Sequence, residues 1–451
     1  MVILEYYRTS MKGMYEFDYS ISYIGNIMVK LSKILEIGIE LCCILILGFM
    51  QLTKKEYIGY YSTRTIVIIL GVIMAIAVLS IAKHDKRLSN IIKTEYRYIR
   101  IYLFLIFISS IYTLVSYNYS FKELFYVLIP YLYIFLAFPI TYVFYKNGGM
   151  EKLLLRLSLF VICILICKAI AWFLFNFSDQ IIFERLLFEF KDWFRNGLQR
   201  VNAGYLIGIS LVIFFCKGFE QNGKLIYKIA VIFIIWFLMN ITVFRFQFLT
   251  AIGTCFVVYY FLNGKELGVF TRRAILIFLA IVILTSKPFL NLIYTFSVNN
   301  STLGNSTAVR LLCFKHYSNL FISKNPILGL GFLTSGNDSA NAIMTYAGNM
   351  IYWLEDLGLL GGFFRLGVSS IYIYGTLFYF AIKTCIQSLK IQGGNLKSVI
   401  WGVSAYMIVT CTMLNIFDAQ RAFDVPFYLA IITYSNWKIK DIQQKKTEFY
   451  N

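Results

Sequence analysis

The sequence predicts an all-α polytopic integral membrane protein of about twelve transmembrane helices, with a long extracytoplasmic loop that contains short helices. Three observations predict it. Of 451 residues, 59% are apolar and 14% charged, and the mean hydropathy of +0.69 is far from the makeup of a soluble domain. Apolar runs near twenty residues recur along almost the whole chain, each long enough to cross a hydrocarbon core of roughly 30 Å. Only five prolines interrupt them.

No Pro/Gly/Ser-rich linker divides the chain, so residues 1 to 451 read as a single membrane domain. No cleavable signal peptide is expected, because residues 1 to 33 are polar and the first apolar run is too long for one. The charge of +19 comes from 42 basic and 23 acidic residues. In a membrane protein, basic cytoplasmic loops account for it, and no nucleic-acid partner is expected. Eight of the nine cysteines fall in or beside apolar runs, Cys313 being the exception. Cys163 and Cys167 share a helical face without a histidine, and no metal and no cofactor are expected.

The spans fall near residues 34 to 52, 65 to 82, 99 to 117, 122 to 145, 153 to 175 and 201 to 219. They continue at 225 to 244, 246 to 263, 273 to 293, 359 to 382, 397 to 417 and 422 to 437. The segment from 83 to 100 carries six basic residues, from Lys83 to Arg100, against Asp85 and Glu95, which places it in the cytoplasm. Alternation then puts both termini inside, along with the lysines at 146, 217, 265, 383 and 438. Residues 53 to 64 fit poorly, since an outer loop would carry Lys54, Lys55 and Arg64. Two long segments are left outside, 176 to 200 and 294 to 358. Between Leu311 and Phe321 the second has the apolar spacing of an amphipathic helix. Neither repeat symmetry nor paired broken helices mark a transporter, so the asymmetry points to work at the outer face.

Topology does not ask for arginines outside, yet Arg195, Arg200, Arg245, Arg310, Arg365 and Arg421 are placed there. Each needs a carboxylate, a carbonyl or an anionic ligand. Arg200 and Arg421 suit snorkelling to headgroups, and Lys168 in span five suits reaching outward. Arg365 suits either pairing with Glu355 or Asp356 or binding a ligand. Arg245 is the sole charge in ITVFRFQFLT, a turn too short to need one. Convergent arginines at a membrane surface suit a lipid-linked pyrophosphate, as lipid flippases and several glycosyltransferases require.

Four stretches in order resemble the O-antigen ligase and polymerase superfamily of bacterial envelope assembly. RNGLQRVNAGYLIGISL offers Arg195, Gly197, Asn202 and Gly204, and Arg245 follows in the next outer turn. STAVRLLCFKHYSNLFISKNPILGLGF supplies Arg310, Pro326, Gly329 and Gly331. TYAGNMIYWLEDLGLLGG supplies Asn349, Asp356, Gly358 and Gly361. The resemblance covers residues 195 to 362, with the remaining spans alike only in hydropathy. Gly348 stands where the family has a histidine on which its ligases look most dependent, which favours a polymerase.

The resemblance implies a GT-C-like fold and a Wzy-type polymerase in the bacterial cytoplasmic membrane, acting on its outer side. Such an enzyme moves a growing glycan from undecaprenyl pyrophosphate to an acceptor repeat unit of an O-antigen or capsule. Its expected partners are that lipid-linked oligosaccharide, membrane lipid and a chain-length regulator. Arg245 and Arg310 are expected to stabilise the departing pyrophosphate, assisted by Arg195 and Arg365, in a metal-independent transfer. Glu355 and Asp356 are the candidate bases, with Asp192 and Asp424 in reserve, although acids at a helix entry also suit its dipole. Asn202, Asn349 and Tyr352 are expected at the substrate, and Tyr346, Tyr352 and Trp353 equally suit an interfacial aromatic belt. His316, on an amphipathic segment, reads as structural. Rival readings are a flippase for the same lipid-linked units, an O-antigen ligase and a non-catalytic scaffold. A flippase should carry polar residues through the interiors of its spans, whereas here Lys168, Glu36 and Glu40 are the interior charges the sequence indicates.

Overall fold

The computed structural model describes residues 30 to 53, 58 to 189, 194, 195, 197 to 262, 305 to 346, 350 to 391 and 395 to 450. It is built almost wholly of helices. Helix α1 covers residues 30 to 47 and buries Leu35, Ile39, Cys42 and Cys43 while exposing Ile34, Ile37 and Leu41. The same division by face recurs in α2 (Tyr60–Ala82), which buries Val67, Gly71, Met74 and Val78 and exposes Ile66, Ile69, Ile73 and Ile76. A helix that shows its largest apolar side chains to the surroundings has a solvent other than water.

Helix α3 (Lys86–Tyr117) starts under an Asp85 cap whose carboxylate accepts the Arg87 and Leu88 amides at 3.0 Å. It therefore begins inside the segment read as a loop over 83 to 100, and Glu95 is fully buried beside Thr141 rather than solvated. Helix α4 (Phe121–Leu132) opens on a Ser120/Glu123 capping box. Pro130 denies the helix one amide, the chain tightens into a 3-10 turn over Tyr133–Leu136, and α5 (Ala137–Lys146) completes that predicted span. Helix α6 (Glu151–Ser178) follows, with Arg156 paired to Glu36 and, at 3.2 Å, to Glu40 of α1.

After α7 (Glu184–Leu187), β1 (Phe194–Arg195) and β2 (Leu198–Gln199) form a two-residue-stranded hairpin. The predicted span at 201 to 219 is helical only in α8 (Ile207–Phe219), and nearly every side chain of α8 is buried. Helix α9 (Leu225–Phe237) ends in a π turn over Leu238–Thr242, and α10 (Arg245–Phe261) begins after two intervening residues. The predicted span at 273 to 293 lies outside the described residues.

Residues 311 to 321 lie within α11 (Asn305–Lys324), which precedes α12 (Asp338–Met344) and the small pair β3 (Thr345–Tyr346) and β4 (Met350–Ile351). These elements share a second core in which Cys313, Tyr317, Phe321, Leu330 and Tyr352 pack against Tyr117, Tyr119 and Leu124. The span predicted at 359 to 382 is broken: α13 (Leu359–Leu366) stops at Gly367 and α14 (Ser369–Ser388) resumes. Helix α15 (Leu396–Met413) and α16 (Val425–Tyr450) close the chain. The first half of α16 is apolar and buried on all sides, from Val425 to Ile432, and packs against α3, α5, α14 and α15.

Six helical stretches among the described residues are long and apolar enough to cross a membrane: α2, α3, α4 through α5, α6, α9 with its π turn, and α15. The protein is an all-α, membrane-embedded fold.

Candidate functional site

The π turn ending α9 leaves backbone carbonyls without helical partners, and the end of a helix is its negative pole. The segment after β1 and β2 uses them. Arg200 donates its Nε to Thr242 O at 2.9 Å, Arg195 donates Nη1 to Val243 O at 3.1 Å, and Val201 N–H reaches Ile241 O at 3.4 Å. Val243 is held at φ 54°, a left-handed conformation that a β-branched residue adopts only at a cost. This turn sets Phe244 beneath the Arg200 guanidinium, 4.8 Å from the ring centre, and makes Arg245 the first residue of α10. A cation at a helix N-terminus adds to the positive pole already there.

Arg310, carried by α11, comes into this group. Burial, and then the nearby Arg310 charge, push the Arg195 guanidinium below its ordinary range. Burial, Arg195 and Arg245 together bring Arg200 down to about 10, which leaves it cationic at neutral pH. Four arginines from three separate segments thus share one field, and Arg195 and Arg310 form no ion pair among the described residues. Such a concentration of positive charge beside a low-dielectric wall favours an anion.

The acidic side of the site adjoins it. Asp356 lies in the 3-10 turn Leu354–Leu357 and is exposed to solvent. The surrounding protein raises its carboxyl above the usual carboxylate range, while Arg310 and Arg421 pull the other way. Glu355 is paired with Arg365, whose second Nη donates to Tyr131 Oη at 3.1 Å. Asp418 accepts from Arg421 at 2.9 Å, and its burial raises its carboxyl despite that partner.

Backbone contacts between the NPILGLG segment and residues 364 to 368 fix Arg365. Leu330 N–H donates to Phe364 O at 2.7 Å, Gly331 N–H to Arg365 O at 2.9 Å, and Val368 N–H to Ile327 O at 3.0 Å. Gly329 (φ 77°) and Gly367 (φ 56°) meet so closely that a Cβ on Gly367 would stand 2.2 Å from Ile327 O. The glycines of NPILGLG therefore splice the loop into the break of the predicted tenth span.

Of the residues singled out in the sequence, Arg195, Arg200, Arg245, Arg310, Asp356, Glu355, Arg365 and Arg421 are brought into one region. Others are not. Asn202 is buried and spends its side-chain oxygen on the Gly204 amide at 3.4 Å. Tyr352 is buried, its carbonyl accepting the Tyr317 hydroxyl. His316 bonds Ile343 O at 2.8 Å. Asn349 and Asp192 lie outside the described residues, and Asp424 accepts the Leu206 amide at 2.7 Å. Arg200 turns inward rather than toward headgroups, and Arg421 is paired rather than snorkelling. Lys168 does not reach outward: it is buried and donates to Asn202 O at 2.9 Å. Two participants were missed, Tyr131 and Asp418. The signal for Asp418 was available, an acid three residues from Arg421 in the short segment between two apolar runs. No protein-family model matches the chain, and no curated protein matches it.

Proposed function

We propose that the protein is a polymerase of lipid-linked oligosaccharide repeat units for a bacterial surface polysaccharide, with about twelve spans in the cytoplasmic membrane and this site facing outward. The observation that carries the reading is the meeting of Arg195, Arg245 and Arg310, from three separate segments, beside the accessible carboxylate of Asp356. In the reaction, a glycosidic bond forms between the acceptor hydroxyl oxygen and the donor's anomeric carbon as the bond to the pyrophosphate oxygen breaks. Arginines facing the departing pyrophosphate stabilise the charge that develops on it. Asp356 takes the acceptor proton, its raised affinity for a proton suiting that role. Glu355, engaged by Arg365, serves better to position that guanidinium.

A flippase for the same units is the second reading. It is favoured by helix charges beyond Lys168, Glu36 and Glu40, namely buried Glu95 and Arg156, which bridges Glu36 and Glu40. Deletion of the gene, followed by gel analysis of the surface polysaccharide, separates the two. Single repeat units without long chains support the polymerase, and loss of all exported units supports the flippase. Arg245→Ala and Arg310→Ala should each reproduce the short-chain pattern; wild-type chain lengths from both would remove the site assignment.

A further inference from the structure

Helix α3 carries one continuous exposed face whose character changes part-way along. Lys86, Lys93, Arg97 and Arg100 follow one another at helical spacing, and Phe104, Phe107, Ile111 and Val115 then continue the same line. A switch from cations to large exposed apolar side chains marks the level at which a helix leaves the headgroup layer for hydrocarbon. Arg97 and Arg100 sit at that switch. The one acid of α3, Glu95, is fully buried on the opposite face beside Thr141.

Helix α14 runs alongside α3 in the opposite direction. Just before α14, Arg365 O accepts the Gly331 amide, and the next residue, Phe332, donates its N–H to Thr113 Oγ1 late in α3 at 2.9 Å. Inside α14, Ile373 O accepts the hydroxyl of Tyr98 from early in α3, also at 2.9 Å. The rings of Tyr98 and Tyr372 stack with centres 6.0 Å apart, and the charges of Arg97 and Arg100 both act on the Tyr372 hydroxyl. Tyr372 in turn lines an open groove along the exposed side of α14, together with Val368, Ile371, Gly375, Thr376 and Tyr379. The groove measures about 510 Å³, room for an alkyl chain rather than one side chain. Gly375 gives it depth, since a Cβ there would meet nothing within 4 Å. At the end nearer the start of α3, Lys383 holds its Nζ 5.5 Å from the centre of the Tyr379 ring. Helix α14 contains no acid, and Arg97, Arg100 and Lys383 form no ion pair among the described residues.

We propose that α3 and α14 bind one anionic phospholipid of the leaflet in which α3 begins, its phosphate held by Arg97, Arg100 and Lys383 and an acyl chain lying in the groove. Charge complementarity selects this occupant. The groove alone would accept any lipid chain, but three unpaired cations at its edge favour a headgroup of net negative charge over a zwitterionic one. The two guanidiniums present paired N–H donors to phosphate oxygens, and Lys383 adds a point charge. The site shares no residue with the arginine group assigned to transfer and does not rest on that reading.

The test is native mass spectrometry of the purified full-length protein, titrated separately with phosphatidylglycerol and phosphatidylcholine to give the affinity for the first lipid bound. The wild type should prefer phosphatidylglycerol by about tenfold. Arg97→Gln/Arg100→Gln should abolish that preference and leave phosphatidylcholine unchanged, while Arg97→Lys/Arg100→Lys should retain part of it. Lys86→Gln/Lys93→Gln removes two exposed cations of the same helix away from the groove and should shift the affinity by less than about twofold. Gly375→Leu fills the groove with every charge in place and should weaken phosphatidylglycerol binding about fivefold. Equal weakening by the two glutamine pairs, the mark of diffuse surface attraction, would overturn the proposal, as would full affinity in Gly375→Leu. Undecaprenyl phosphate that binds the wild type more tightly than phosphatidylglycerol would overturn it in favour of a polyprenyl lipid. All the substituted positions are exposed, so a lost preference at an unchanged unfolding temperature reports on the site and not on the fold.

Discussion

Arg365 and Arg421 are each answered by a carboxylate, Glu355 and Asp418, inside a setting that is otherwise closed. Arg195, in the same region, rests instead on the carbonyl of Val243 and crowds toward Arg310. A paired guanidinium has its charge cancelled locally and acts as a brace. One held by carbonyls is fixed in direction while keeping its full charge, which is what an anion site requires. Hydropathy sets Arg365, inside a predicted span, apart from Arg195 in an outer segment, but it does not say which guanidinium meets a carboxylate.

The comparison can be broken at its strongest point by Arg310→Ala. Transfer assayed in vitro with lipid-linked repeat units should fall by roughly 10²- to 10³-fold with little change in thermal unfolding. Arg310→Lys should recover only part, as it keeps the charge and loses the planar fork.

Arg365→Met should have the reverse profile. It strands Glu355 and Tyr131, and the loss of stability should be roughly 3 kcal/mol, seen as a lower unfolding temperature in detergent. The double variant Arg365→Met/Glu355→Leu should regain most of that stability and retain polymer. Loss of polymer in a stable double variant would return Glu355 to the chemistry.

Gly367→Ala strikes the same brace through the backbone, forcing a Cβ against Ile327 O at a positive φ. A loss of roughly 2 kcal/mol is expected, with chain length following stability rather than preceding it.

The smallest effect is on pH. The raised Asp356 carboxyl should give transfer an acid limb that rises with pH at a midpoint above the ordinary value of about 3.9. Its contribution to stability runs the other way. A carboxyl whose pKa is raised by folding stabilises fully below the unfolded value, and that contribution is lost as pH rises through the folded value. Asp356→Asn should flatten both trends, and an unshifted acid limb in that variant would remove Asp356 as the base.

Much of the arginine side was legible beforehand. Arg195, Arg245 and Arg310 stood out because the positive-inside rule gave them no reason to be where topology placed them. Arg365 was legible as a residue needing a partner, while the choice between Glu355 and a ligand was not. Arg64 was visible only as a misfit in a loop, and Lys168 only as a charge in a span; nothing in their spacing said that both line one cavity. Glu95 was assigned to a loop because its neighbours are basic, but Asp85 starts the helix early enough to carry it into the packed interior.

The sequence by itself determined that the chain is helical and lives in a membrane, because run length and apolar content depend on nothing but local composition. It also determined which arginines needed explaining. The tertiary structure alone decided where helices break, as at Gly367, and which cations are paired. Those outcomes rest on contacts between segments far apart in sequence, hundreds of residues for Arg64 with Ala419 and Tyr117 with Leu330, and no local period encodes them.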